Sequence, residues 1–141
     1  MSMTDAARLP AELLNRASLR GNEYAWPLAD IPNVIEAARV ANLLNIGGQL
    51  QFRLPDGGIC ECYWVEVDTF QTVSKDQPWK ARVEAAANEA SAAFGDLPSR
   101  YDFVAEGRKA FAEHLDKLSD PASAMCFVWD VMGENDEEAA S

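Results

Sequence analysis

The sequence is poor in positive charge, in histidine and in cysteine. It has 12 lysines and arginines against 23 aspartates and glutamates, a formal net charge of −11, and a single histidine, His114. A nucleic-acid backbone repels such a chain, and no basic cluster offsets the repulsion, so we expect no nucleic-acid partner. Three cysteines are too few for a disulfide framework, which favours a reducing, cytoplasmic location.

The chain also lacks long hydrophobic runs and the short motifs of common catalytic sites. No apolar stretch approaches the roughly 20 residues that cross a bilayer, and the first ten residues lack the apolar segment of a secretory signal. Glycine pairs occur at 47–48 and 57–58, but no Gly-Lys-Ser/Thr phosphate loop, dinucleotide fingerprint, HExxH or GxSxG motif is present. We therefore expect no membrane association and no cofactor.

What is present has the composition of an ordinary globular protein. A chain of 141 residues with 48% hydrophobic and 25% charged residues is large enough for one domain with a proper core. We predict a single domain over residues 1–132. Residues 133–141 carry four acidic side chains and no large apolar one, and are predicted to form a disordered acidic tail.

Hydrophobic side chains at helical spacing predict four helices. These are Pro10–Leu19, Ile31–Leu44 behind an N-cap at Asp30, residues 78–94 broken by a Gly-Asp-Leu-Pro sequence, and a last helix that opens at Ser99 or Asp102 and ends at Asp120. Residues 22–30, between the first two helices, are predicted to form a loop.

Strict alternation of apolar and polar residues predicts a β-hairpin and a separate third strand. The hairpin strands are 49–54 and 59–68, joined by a turn at Asp56-Gly57. The third strand, 124–132, is apolar on both faces and is expected to lie centrally. The predicted fold class is α+β, an antiparallel sheet of at least three strands packed against about four helices.

The position of the turn determines which hairpin side chains share a face. The predicted pairs are Leu54 with Ile59, Phe52 with Glu61, and Leu50 with Tyr63. Their shared face is expected to enter the core. The opposite face is expected to hold Cys60 and Cys62 and the candidate binding residues Gln49, Gln51, Arg53 and Trp64. Tryptophan and arginine are enriched at binding hot spots, and the cysteines predict that this face is partly covered.

The candidate catalytic residues are Glu61, Cys62 and His114. A glutamate that interrupts an apolar face could act as a general acid or base. A Cys62 thiolate with His114 would form a nucleophile and base, although nothing in the sequence places them together. The favoured interpretation is structural, with Glu61 at the open end of the hairpin, Cys62 packed as a small apolar side chain, and His114 beside an apolar helix stripe.

Cys60 and Cys62 share one strand face, as two soft-metal ligands or a redox pair would. A structural zinc needs four ligands, and the remaining candidates, Cys126 and His114, lie at no zinc-finger spacing. A disulfide between residues i and i+2 of a strand has poor geometry. No metal site is therefore predicted.

These observations favour a small acidic cytoplasmic protein of bacterial type that binds another protein without catalysis. An inhibitor or immunity-like protein that neutralises a basic enzyme would suit the charge. Two alternatives stay open. One is a small-ligand-binding protein or enzyme with a pocket around Glu61 and Tyr63, and the other is a structural homodimer that associates through the Trp64 face or the hairpin edge.

Overall fold

A five-stranded antiparallel sheet forms the centre of the computed structural model, which describes residues 5–70 and 72–135. The strands are β1 (Ser18–Arg20), β2 (Glu23–Trp26), β3 (Leu44–Arg53), β4 (Ile59–Asp68) and β5 (Met125–Met132), in the spatial order β1-β2-β5-β3-β4. The helices are α1 (Ala11–Leu14), α2 (Ile31–Val40), α3 (Trp79–Arg100) and α4 (Phe103–Leu115). The predicted α+β class is confirmed, and the segment 136–141 of the predicted tail lies outside the described residues.

Strand β5 lies at the centre of the sheet, as its two apolar faces predicted. It pairs with β2 on one side and with β3 on the other. Because β5 comes from the end of the described chain, it ties the early hairpin to the middle of the sequence. The predicted bounds of β4 are also confirmed, whereas β3 begins earlier than predicted, at Leu44.

The main core lies between one face of the sheet and the helices. Phe52, Phe127 and Trp129 are fully buried there. The indole N–H of Trp129 donates to Asn45 Oδ1 at 2.9 Å, and Asn45 Nδ2 donates to the Ile35 carbonyl of α2 at 3.1 Å. These bonds satisfy buried polar groups and link β5, β3 and α2.

The predicted register of the β3–β4 hairpin is wrong by one residue. The observed pairs are Arg53 with Ile59, Phe52 with Cys60, Gln51 with Glu61, and Leu50 with Cys62. The connection spans residues 54–58: the Leu54 N–H donates to the Gly58 carbonyl at 2.8 Å, and Gly57 takes a φ of +97°. A connection of this length shifts the pairing by one residue relative to the predicted turn.

A one-residue shift transfers every side chain of a strand to the opposite face. Cys60 and Cys62 therefore pack in the core with Phe52, and Ile59 and Glu61 point away from the helices. The ladder is then interrupted, because residues 63–65 lie between two consecutive pairs of β3 and β4. Such bulges bend a strand and redirect its side chains.

The predicted first helix and the loop after it are wrong over residues 15–26. Helix α1 ends at Leu14, and β1 and β2 form a hairpin that turns at Gly21-Asn22, with Gly21 at a φ of +62°. Glycine at the first position of a two-residue turn is typical of type II′, whose twist suits adjacent antiparallel strands. Tertiary pairing of β2 with β5 thus overrides the weak helical pattern.

Helix α2 ends at Val40, earlier than predicted. Asn42 takes a φ of +60°, and its N–H donates to the Arg39 carbonyl at 3.1 Å. The next N–H, of Leu43, donates to the Ala38 carbonyl at 2.8 Å. These two bonds form a Schellman motif, which ends the helix and directs the chain into β3.

Helix α3 continues through the Gly-Asp-Leu-Pro sequence that was predicted to break it. Leu97 is only 1% exposed, and its packing holds the last turn in place although Pro98 provides no N–H. The prediction of Asp102 as the opening residue of the next helix is confirmed. Its carboxylate caps α4 by accepting the Ala105 N–H at 3.1 Å.

Candidate functional site

Two arginines link the β1–β2 hairpin to the β3–β4 hairpin across the sheet face that is turned away from the helices. Strand β5 separates β2 from β3, yet Arg53 of β3 donates to the carbonyls of Ser18 at 2.6 Å and Glu23 at 3.1 Å. Arg20 of β1 donates in the other direction, to the carbonyls of Leu54 and Gly58, at 2.8 and 2.9 Å. The β1–β2 hairpin is therefore held over this face by side chain to backbone bonds.

Three of the four predicted binding residues, Gln49, Gln51 and Arg53, share this face. Gln51 is fully buried, and its side chain accepts from Arg53 Nε at 3.1 Å and donates to Glu61 at 3.3 Å. Burial lowers the pKa of Arg53, and the nearby Cys126 opposes that shift. The side chains of Gln51 and Arg53 thus form an internal network. Their role in binding a partner stays a prediction.

Trp64, the fourth predicted binding residue, lies against α4 instead. Its indole N–H donates to Glu106 Oε1 at 2.8 Å, and its ring meets Tyr63 edge to face, with 5.2 Å between centroids. The bonds from Trp64 and Lys109 lower the pKa of Glu106. The patch predicted to combine Trp64 with Arg53 is therefore wrong, because the observed register separates them.

The candidate catalytic residues do not form one site in the described part of the chain. Glu61 is exposed and does not interrupt the core face. Cys62 is fully buried, and burial, with Cys60 and Glu106 as smaller causes, raises its pKa to about 11. His114 is exposed in the last turn of α4, and no hydrogen bond joins it to Cys62. A protonated, enclosed thiol cannot serve as a nucleophile.

The three cysteines are free and buried, and burial raises the pKa of each. Within residues 5–70 and 72–135, no three histidine, cysteine, aspartate or glutamate side chains gather as a metal site.

The burial of the three thiols predicts their reactivity. We expect the native protein to react negligibly with the thiol reagent DTNB, and all three thiols to react after unfolding in urea. Absorbance of the released thiolate measures both. Rapid release of even one equivalent from folded protein would contradict this assignment.

The exposed side of β4 is the candidate functional surface. We call it the β4 outer surface, and it consists of Ile59, Glu61, Tyr63, Glu66 and Asp68. Only four large hydrophobic side chains are exposed among the described residues, and two of them, Ile59 at 42% and Tyr63 at 67%, are on this strand. Three carboxylates surround them, and β4 contributes no basic residue.

β4 is an edge strand, since it pairs with β3 alone. A long free edge invites the addition of another strand. Here the edge is interrupted in its middle, because residues 63–65 form the bulge and the Trp64 carbonyl accepts a bond from the Tyr101 hydroxyl at 3.4 Å. The β4 outer surface therefore offers side chains, rather than a continuous backbone edge, for recognition.

Sequence reasoning named Glu61 and Tyr63 but assigned them to the core face, and it overlooked Ile59, Glu66 and Asp68 as surface residues. Alternation alone put Glu61 on one face and Glu66 and Asp68 on the other, and the bulge that brings all three to one face has no signal in the sequence.

Neither the helices nor the comparisons add a functional assignment. None of the described helices combines the length and hydrophobicity that a bilayer span requires. Comparisons with protein-family models, curated proteins and solved structures find no match for this chain.

Proposed function

We propose that this protein is a non-catalytic binding module that docks a basic protein surface onto the β4 outer surface, in the manner of an inhibitor or immunity protein. The observation that carries the proposal is the exposure of Tyr63 and Ile59 amid Glu61, Glu66 and Asp68. Free, buried cysteines suit the reducing cytoplasm as the place of action.

The chemistry of this surface matches that of a hot spot. Tyrosine is enriched at the centres of interfaces, where a rigid ring is desolvated at small entropic cost. Carboxylates around such a centre contribute to specificity and to the rate of association with a positively charged partner. The formal net charge of −11 acts in the same direction over longer distances.

A basic partner is favoured over a second copy of the chain. Two β4 edges pairing with each other would bring Glu61, Glu66 and Asp68 together, and like charges opposite each other destabilise a sheet. An enzyme site around Glu61 and Tyr63 is disfavoured because both side chains are exposed. General acid–base work and substrate binding favour concave, water-excluding sites.

Site-directed photocrosslinking tests the proposal. A benzoylphenylalanine at position 63 is expected to trap a basic protein in the cells that make this chain. The matched control carries the same group at Val40, which is 71% exposed on α2 and outside the surface. With the trapped partner purified, Tyr63→Ala should weaken binding by about 30-fold, which corresponds to about 2 kcal/mol at a hot spot. The melting temperature should stay near that of the unmodified protein.

Higher salt should slow association of the trapped partner with the unmodified protein, and Glu66→Gln should reduce that sensitivity. The proposal is wrong if positions 63 and 40 trap the same proteins, if the partner is acidic, or if Tyr63→Ala binds it as tightly as the unmodified protein.

A further inference from the structure

A charged cavity lies between α1 and α2 and shares no residue with the β4 outer surface. This α1–α2 groove has a volume of about 610 Å³. Its polar lining consists of Glu12, Arg16, Asp30, Asn33 and Glu36. Three carboxylates and Arg16 line the groove, and Arg39 pairs with Glu36 at its rim, so a net negative charge remains and favours a cationic ligand.

Asp30 is the buried group of this groove. Its side chain is only 7% exposed, and Oδ1 accepts a bond from Arg16 Nη2 at 2.8 Å. The other oxygen, Oδ2, is buried and has no hydrogen-bond partner. A buried carboxylate oxygen without a donor is costly, and nearly all such groups in folded proteins are paired. Asp30 therefore lacks one donor, and because Oδ2 is enclosed in this conformation, a ligand would have to displace Arg16 to supply it.

The existing partner of Asp30 is positioned to be replaced. The Arg16 side chain is 62% exposed and contacts Asp30 through one nitrogen. Because Asp30 is buried, its charge needs a cation beside it, but Arg16 itself is exposed and could be exchanged for another cation at the same carboxylate. At the groove rim, by contrast, Arg39 engages both oxygens of Glu36 and lowers the pKa of that carboxyl. Glu36 is thereby largely neutralised, whereas Asp30 is only half satisfied.

We propose that the α1–α2 groove binds a guanidinium group, presented by an arginine side chain of a partner peptide or protein. The planar guanidinium offers two parallel N–H donors at the spacing of a carboxylate, so it can satisfy both oxygens of Asp30 where Arg16 satisfies one. Leu13 and Ala37 line the groove and provide apolar contact for the methylene stem. Asn33 and Glu12 complete the polar rim. An ammonium group, which is a compact point charge, lacks the paired geometry.

An NMR titration of the full-length protein with N-acetyl-arginine amide tests this site. N-acetyl-citrulline amide is the matched control, because it has nearly the same shape and no charge. The arginine compound is expected to shift the resonances of Arg16, Asp30 and Asn33 saturably, with an affinity at least about tenfold above that of the citrulline compound. Free arginine should bind more weakly than the amide, because its carboxylate meets the acidic rim. The reverse order would identify a free amino acid as the ligand and overturn the assignment to a peptide.

Two variants distinguish a binding site from a structural ion pair. Asp30→Asn should reduce the affinity for N-acetyl-arginine amide by about tenfold or more, because the carboxylate is lost. Arg16→Gln should increase that affinity several-fold, because it removes the competing guanidinium. Arg108→Gln, which alters an exposed α4 arginine paired with Asp116, should leave that affinity unchanged.

The proposal is overturned if the citrulline compound binds equally well, if no saturable shift occurs, or if folded Arg16→Gln binds more weakly than the unmodified protein. Should Asp30→Asn fail to fold, the citrulline comparison and Arg16→Gln still decide the matter. The β4 outer surface is not involved, so neither result depends on that of the crosslinking experiment.

Discussion

Gly48→Ala is expected to reduce the free energy of unfolding by about 4 kcal/mol or more, or to prevent folding. An alanine methyl at this position would overlap the carbonyl oxygen of Val128 in the backbone of β5. Backbone in the centre of a sheet cannot move aside as a flexible side chain can, so the β3–β5 pairing would have to open. Urea unfolding followed by tryptophan fluorescence measures the loss, because Trp129 lies in the affected strand.

Gly95→Ala is the matched control for this substitution. Gly95 lies inside α3, and a methyl there would meet no atom within 4 Å. Alanine is the better helix former, so the variant should gain up to about 1 kcal/mol. If Gly48→Ala instead unfolds at the same urea concentration as the unmodified protein, the close approach of β3 to β5 is contradicted.

The two central glycines show how one local signal can predict the wrong element. Gly47 and Gly48 lie shortly after the predicted helix Ile31–Leu44, and Gly47 has the character of a helix stop. In the structure both lie within β3: a methyl on Gly47 would overlap the Val67 carbonyl of β4, as one on Gly48 would overlap β5. Gly47 also takes a φ of +131°. A single sequence does not distinguish the two cases. Glycine is common at a helix end, where it adopts a positive φ, and also in a strand whose neighbours leave no room for a side chain.

The alternation of apolar and polar side chains predicted the strands that are long enough to show it. β4 and β5 have eight or more residues each, so their patterns stand out, and the α+β class follows from them. β1 and β2 have only three and four residues, too few for a pattern. Their pairing is set by β5, a contact more than 100 positions away for Ala25 and Val128, which local sequence cannot reveal.

The composition of the candidate site depended on the hairpin register, which the sequence left undetermined. Asp-Gly marks a turn, but the surrounding Leu-Pro-Asp-Gly-Gly allows connections of several lengths. One residue more or less decides whether Glu61 or Cys62 enters the core. The sequence could therefore identify which residues alternate, but not which set faces the solvent.

Asp30 illustrates a correct position with an incomplete role. The sequence places it at the start of α2, where aspartate is a common N-cap. In the structure its side chain makes no capping bond and instead contacts Arg16. Capping is visible over three or four neighbouring positions, whereas the ion pair and the groove require α1 and α2 to pack together. The acidic groove is thus a product of the tertiary fold.

Arg53→Ala is expected to reduce the free energy of unfolding by about 3 kcal/mol or more. Its guanidinium is the donor to Gln51 Oε1, the Ser18 carbonyl and the Glu23 carbonyl, and the Arg53 residue is only 7% exposed. Each acceptor left without a donor away from water costs about 1–3 kcal/mol. Urea unfolding gives the total, and faster amide exchange in the β1–β2 hairpin should show where the structure loosens.

Arg53→Lys separates the charge of this residue from its geometry. Lysine keeps the charge, but a single ammonium cannot reach β1, β2 and Gln51 together, so an intermediate loss is expected. Arg108→Ala removes an arginine whose side chain is 54% exposed and should change stability by no more than about 0.5 kcal/mol. If Arg53→Ala keeps full stability and weakens only the binding of the crosslinked partner, Arg53 is a recognition residue, as its sequence context predicted. The β1–β2 hairpin would then be held in place by the Arg20 hydrogen bonds and by the backbone pairing of β2 with β5.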